Sequence, residues 1–168
     1  MQPKFVQRSA TKIAGYLHKT SMSNNTIPAF WQEIGTDGRY EKLRAQDFVA
    51  GHNDFGFCVM INDDDMNYYV AREVEKGRDV PNDFQVAVIP AGNYAVFTVP
   101  PFPMDEMSPN IADTWGAAYE WLMTSEYTTD GSSSFELYFP NCNCTEETTC
   151  EECATGNMTC DIYVKVDM

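Results

Sequence analysis

The sequence predicts an α+β fold: tandem βαββ repeats related by a pseudo-twofold, with an antiparallel sheet, two helices on one face and a ligand groove between the halves. Three observations predict it. Short β-rich runs alternate with turn residues, two amphipathic helical segments each carry a tryptophan, and the two halves resemble one another. Gly56-Phe57-Cys58-Val59-Met60-Ile61-Asn62 lines up with Ser134-Phe135-Glu136-Leu137-Tyr138-Phe139-Pro140. Asn67-Tyr68-Tyr69-Val70 lines up with Asp161-Ile162-Tyr163-Val164.

The elements follow in order. A strand is expected over 12–19. A helix over 26–34 has Thr26 as its cap, Pro28 in its first turn and Gly35 at its end. Ile27, Phe30, Trp31 and Ile34 make its apolar face. Strands over 55–61 and 66–74 flank the acidic turn Asn62-Asp63-Asp64-Asp65, and strands over 84–89 and 94–99 flank Pro90-Ala91-Gly92-Asn93. A second helix over 108–125 starts with Ser108 as cap and Pro109 as its first residue, and Ile111, Trp115, Ala118 and Leu122 form its stripe. Strands over 135–139 and 162–166 close the chain. The expected organisation is one domain over 1–168, with repeats over about 1–80 and 81–168 and a cysteine-rich loop insertion over 141–160.

Composition bounds the function. The 168 residues are 43% apolar and 13% aromatic, which suits a packed core rather than disorder. A net charge of −14 argues against direct nucleic-acid binding, because phosphates would be repelled, and it favours cationic partners. No apolar run reaches the roughly 18 residues of a membrane span. The N-terminus, Met1-Gln2-Pro3-Lys4-Phe5, lacks the apolar stretch of a secretory signal, so a soluble cytoplasmic chain is expected.

Glu136 is the most informative residue. It interrupts an apolar strand, and alternation puts it with Tyr138 on one face while Phe135, Leu137 and Phe139 share the other. If the helices cover the Phe135 face, Glu136 points away from them. It is then either a solvated strand carboxylate or the charged floor of an aromatic pocket. A pocket carboxylate could neutralise an organic cation, or take a raised pKa and work as acid or base. Tyr16, Phe57, Tyr68, Trp115, Tyr119, Tyr138 and Tyr163 supply the candidate walls. The only histidines, His18 and His52, sit near no evident nucleophile, and no phosphate loop, G-x-S-x-G or H-E-x-x-H occurs.

Five of the six cysteines lie within nineteen residues: Cys142, Cys144, Cys150, Cys153 and Cys160. Four thiolates drawn from Cys142, Cys144, Cys150 and Cys153, with Cys160 as an alternative ligand, could hold a closed structural zinc. Free or redox-active thiols and disulfides are the rivals, the latter disfavoured in a cytoplasmic setting. No other cofactor is implied.

Three stretches resemble the GyrI-like small-molecule-binding family, the effector-binding domain of AraC-type regulators. They are Val88-Ile89-Pro90-Ala91-Gly92-Asn93-Tyr94-Ala95-Val96-Phe97, Trp115 to Tyr119 with Trp121-Leu122 to Ser125-Glu126-Tyr127, and Phe135-Glu136-Leu137-Tyr138 with Asp161-Ile162-Tyr163-Val164. The resemblance implies a groove for lipophilic, often cationic, aromatic compounds. The family's pocket glutamate matches Glu136, and its aromatics match Trp115, Tyr119, Tyr138 and Tyr163. The cysteine-rich loop departs from the family's short connection, and Lys165 stands where the family commonly has proline.

The leading expectation is a stand-alone binding module for an aromatic, cationic effector, acting in sensing or sequestration, as in multidrug-binding regulators. One alternative is a GyrI-like hydrolase of cyclopropane-type electrophilic genotoxins. There Glu136 would activate water and Tyr138 or Tyr163 would protonate the leaving group. A second is a gyrase-protecting interaction protein whose cysteine loop meets a protein partner.

Overall fold

The computed structural model describes residues 1–106 and 108–167. The elements run β1 (Lys4–Arg8), β2 (Thr11–Ser21), α1 (Ile27–Thr36), α2 (Arg39–Arg44), β3 (Val49–Met60), β4 (Asp65–Val74), β5 (Gln85–Ile89), β6 (Gly92–Pro103), α3 (Pro109–Thr124), β7 (Ser133–Tyr138), α4 (Glu151–Ala154) and β8 (Asn157–Val166). All eight strands join one antiparallel sheet in the order β1-β6-β8-β7-β3-β4-β2-β5. This is the α+β fold that the sequence predicts.

The strand order is symmetric about the β7–β3 seam, where Phe57 pairs with its repeat counterpart Phe135. The edge strands are exchanged between the halves. β1 precedes β2 but pairs with β6, and β5 precedes β6 but pairs with β2.

Side chains alternate across each strand, so the sheet has two faces. The helices lie on one of them. α3 packs its Ile111 and Ala118 against Phe97, Tyr138, Cys160 and Ile162, and α1 packs Phe30 and Ile34 against Tyr68 and Val70. The other face gathers Ile13, Phe55, Phe57, Tyr94, Val96, Phe135, Leu137 and Tyr163 into a second core with no helix over it. Strands β2 to β8 all contribute to that cluster, so the sheet curls into a half-barrel around it. The helices therefore cover the Glu136 face, not the Phe135 face. The conditional expectation that Glu136 points away from the helices is corrected: both faces of this sheet are buried, one by helices and one by curl.

Local chemistry explains the ends. Ser108 Oγ accepts from the Asn110 amide at 3.0 Å, so it caps α3 as expected. Thr26 does not cap α1 with its side chain. Its hydroxyl instead meets His18 Nε2 at 2.7 Å, and Asn25 Oδ1 accepts from the Ile27 amide at 3.0 Å. Gly35 lies within α1, and the left-handed residue that turns the chain into α2 is Gly38, at φ +89°. His18 stacks on Phe30 at 4.4 Å, a structural role.

Three elements were unanticipated. β1 is a short edge strand. α2 is anchored by buried Leu43 against Phe48, Val74 and Phe84. α4 sits inside the expected loop, and β8 begins at Asn157, so Cys160 belongs to a strand rather than to the insertion. A buried ion pair, Arg72 Nε to Asp54 Oδ1 at 2.6 Å, holds α2 down through a Tyr40 hydroxyl bond to Asp54 at 2.5 Å. Among the described residues no helix is long and apolar enough to cross a membrane.

Candidate functional site

Glu136 sits at the centre of β7, opposite Gly56 of β3 and Ile162 of β8, with 4% of its surface exposed. Both carboxylate oxygens are used. Oε1 accepts from Trp115 Nε1 at 2.8 Å. Oε2 accepts from the Tyr68 hydroxyl at 2.8 Å and the Tyr138 hydroxyl at 2.9 Å. Trp31 Nε1 donates in turn to the Tyr68 hydroxyl at 2.9 Å. α1 and α3 thus each send one indole toward the carboxylate, Trp31 from α1 and Trp115 from α3.

The rings close the space. Trp31 meets Tyr138 edge-on at 5.3 Å, and Trp115 stacks on Tyr119 at 5.8 Å, one helical turn further along α3. Tyr119 is 45% exposed and forms the outer rim. The floor depends on Gly56: a Cβ there would collide with the Tyr68 hydroxyl and with Glu136 Oε2.

Burial pushes the Glu136 carboxyl above its ordinary range, and the bonds from Trp115, Tyr68 and Tyr138 pull against that shift without cancelling it. Burial, and then the Glu136 charge, holds the Tyr68 and Tyr138 hydroxyls well above the usual tyrosine value, so both stay protonated and donate. The same two causes keep the Cys58 thiol neutral. Among the described residues no lysine, arginine or histidine pairs with Glu136; Arg39, Lys42, Arg44, Arg72, Arg78 and Lys165 pair with other carboxylates. The result is a buried carboxylate held by three neutral donors and walled by aromatic rings.

An open cleft lies elsewhere. About 640 Å³ opens at the end of the β2–β4 ladder, between Lys19, Thr20, Asn24, Asp65 and Asn67. Ile61 and Met66 line it as well, and its ionisable residues, Lys19 and Asp65, are exposed. At the Glu136 site the indole of Trp115 and the phenols of Tyr68 and Tyr138 lie directly on the buried carboxylate.

Of the expected site residues, Glu136, Tyr138, Trp115, Tyr119 and Tyr68 come together. Tyr16 lies on the same face but is engaged with α2, donating to the Arg39 carbonyl at 2.9 Å and packing on Phe84 at 5.5 Å. Phe57 and Tyr163 lie on the opposite face. Tyr163 stacks on Phe135 at 4.4 Å, with the Arg8 guanidinium 5.2 Å from both rings. Tyr163 is therefore not placed to pass a proton in concert with Glu136. Trp31 and Gly56 were not among the expected site residues. The repeat that pairs Trp31 with Trp115 was the signal for the first. The single glycine in the apolar run 55–60 was the signal for the second.

The Sγ atoms of Cys142, Cys144, Cys150 and Cys153 all lie within 4.8 Å of one another and could hold a metal. Cys160 is not among them; it is buried in β8 beneath α3.

Comparison with known proteins agrees with this geometry. Residues 4–166 match the family Cass2, integron-associated effector binding protein. The chain belongs to this family. Among other relatives of this effector-binding protein is the transcriptional regulator BrlR of Pseudomonas aeruginosa, 26% identical over 127 residues. That match covers 73% of the chain and 42% of BrlR, so the chain spans less than half of that regulator's length. Solved structures that share this fold include two with TM-scores of 0.70 or more. SAV2435 bound to tetraphenylphosphonium superimposes with a TM-score of 0.72 at 17% identity, covering 99% of this chain and 94% of that one. A Staphylococcus aureus MU50 bacterial transcription regulation protein gives 0.70 at 17% identity, covering 100% and 99%.

Proposed function

We propose that the chain binds a lipophilic aromatic cation between α1 and α3, with Glu136 as its counter-charge, and serves effector sensing or sequestration. The observation that carries this reading is the buried Glu136 carboxylate, which has three neutral donors and no protein cation. A hydrated cation would lose too much solvation on entering such a site. A greasy, charge-delocalised one loses little and gains both the carboxylate and the faces of Trp31, Trp115 and Tyr138. Entry requires an indole to swing aside, and Trp115 with its exposed neighbour Tyr119 is the natural gate. The tetraphenylphosphonium bound to SAV2435 is a cation of this chemistry, and BrlR's role as a transcriptional regulator supports the sensing use.

The test is calorimetric titration of tetraphenylphosphonium and of a neutral analogue, triphenylphosphine oxide, into wild type and Glu136→Gln. The cation is expected to bind wild type more tightly than the neutral compound. Glu136→Gln is expected to lose at least tenfold in cation affinity, about 1.4 kcal/mol. Equal affinity for both compounds, or a cation affinity untouched by Glu136→Gln, would overturn the reading.

A further inference from the structure

We propose that Cys142, Cys144, Cys150 and Cys153 form a closed tetrathiolate Zn²⁺ centre in the connection between β7 and β8. The four residues come from separate local pieces: the turn after β7, the irregular stretch that follows, the N-cap of α4, and α4 itself. They nevertheless bring all four Sγ atoms within 4.8 Å of one another. Cys144 and Cys150 stand 3.4 Å apart, and Cys142 and Cys153 stand 3.6 Å apart. A tetrahedron with Zn–S bonds of about 2.3 Å has edges of about 3.8 Å. A disulfide needs about 2.05 Å and only two partners. The geometry is that of a single tetrad, in which each sulfur faces three others.

The surroundings suit thiolates held by a metal. The Cys150 amide donates to Cys144 Sγ at 3.2 Å, and the Cys153 amide donates to Cys150 Sγ at 3.5 Å. Such amide bonds orient metal-bound sulfur and offset its charge. Residues 141–160 contain four glutamates and no lysine or arginine, so the segment itself supplies no cation to neutralise the sulfurs. Four soft donors select a thiophilic ion, and a complete donor set leaves no position for substrate. The centre is structural. Binding displaces up to four thiol protons as four Zn–S bonds form, with no change of oxidation state.

The centre would fasten a segment that has little else to hold it. α4 is a single turn with no buried residue, and beyond Phe139, which follows β7 directly, Cys142 and Cys153 are the side chains of this connection that pack on the α3-side core. The staple begins where β7 ends. There Phe139 adopts a left-handed backbone at φ +53°, and the Asn53 side chain donates through Nδ2 to the carbonyls of Tyr138 and Phe139 at 3.2 and 2.7 Å.

The full chain, purified under reducing conditions from zinc-supplemented cells, is expected to carry one equivalent of zinc by elemental analysis. After chelation and reduction, Co²⁺ should restore the intense visible bands of a tetrahedral tetrathiolate complex, and Zn²⁺ should bleach them. Cys144→Ser and Cys150→Ser should each lose at least tenfold in Zn²⁺ affinity while circular dichroism shows the sheet intact. Cys160→Ala should retain the metal. Absence of zinc together with no Co²⁺ spectrum, or a mass four hydrogens below the reduced chain before reduction, would overturn the proposal. So would loss of metal in Cys160→Ala with metal retained in Cys150→Ser.

Discussion

Gly56 lies directly across the β3–β7 ladder from Glu136, and its lack of a side chain is what allows the carboxylate and the Tyr68 hydroxyl to meet above the sheet. A single methyl group at this position would occupy the floor of the site.

Gly56→Ala should therefore disturb the site first and the fold second. The added methyl must displace Tyr68 or Glu136, at about 1–3 kcal/mol of stability. Tetraphenylphosphonium affinity should fall well beyond what the stability loss accounts for. Unfolding curves paired with titration calorimetry check it; a variant that binds like wild type would show that the Tyr68–Glu136 bond is dispensable.

The raised Glu136 carboxyl makes stability depend on pH with a definite sign. A carboxyl whose folded value exceeds its unfolded value, about 4.3 for glutamate, contributes stability that is complete below the unfolded value. That contribution is lost as pH rises through the folded value. Glu136→Gln has no such proton to lose. Wild-type Tm relative to Glu136→Gln should be highest in acid and should decline as pH climbs through the raised range. Cation affinity should run the opposite way, rising as Glu136 ionises. Thermal melts and titrations across the acid-to-neutral range would read both, and a flat Tm difference would contradict the burial argument.

Tyrosines on the two sheet faces should behave differently. The Tyr138 hydroxyl bond lowers the Glu136 pKa, so Tyr138→Phe should move the midpoint of pH-dependent cation binding upward. Tyr163→Phe should leave that midpoint in place, because Tyr163 belongs to the Phe135 cluster on the far face. A shift of equal size in both variants would mean that the two faces communicate.

The Arg72–Asp54 pair is deeply buried, with side chains 6% and 4% exposed. Asp54→Ala would strand the Arg72 charge and the Tyr40 hydroxyl together. Loss of about 3–5 kcal/mol is expected, a fall in Tm of roughly 6–20 °C at this chain length. Asp54→Leu with Arg72→Met should recover most of it, since no uncompensated charge then remains. Denaturant unfolding of the single and double variants measures the difference.

Much of this architecture is written locally. Ser108-Pro109 announces α3, the Phe135-Leu137-Phe139 alternation announces β7, and a lone carboxylate in that strand marks the site. The face that Glu136 occupies was not legible, because alternation names a buried face only when the other is wet, and here neither is. Residue type alone groups Phe57 and Tyr163 with Glu136; only the register, which pairs both with Phe135, puts them on the opposite side. β1 was hidden for a different reason. Its five residues carry little pattern of their own and pair with a strand that begins at Gly92. α2 is too short to show a period and is held by tertiary contacts through Leu43 and Tyr40.

The exchange of β1 and β5 between the halves has a consequence for how the chain is made. On a ribosome adding roughly 5–20 residues per second, β1 emerges first and then waits for β6. β2 waits for β5, and β3 waits for β7, which begins at Ser133. During that interval the nascent protein presents open strand edges, each a template for a neighbour's backbone. Two chains on one polysome can satisfy each other's edges with the strands that each would later supply to itself. Pairing within a single molecule is favoured where neighbouring nascent chains are dilute.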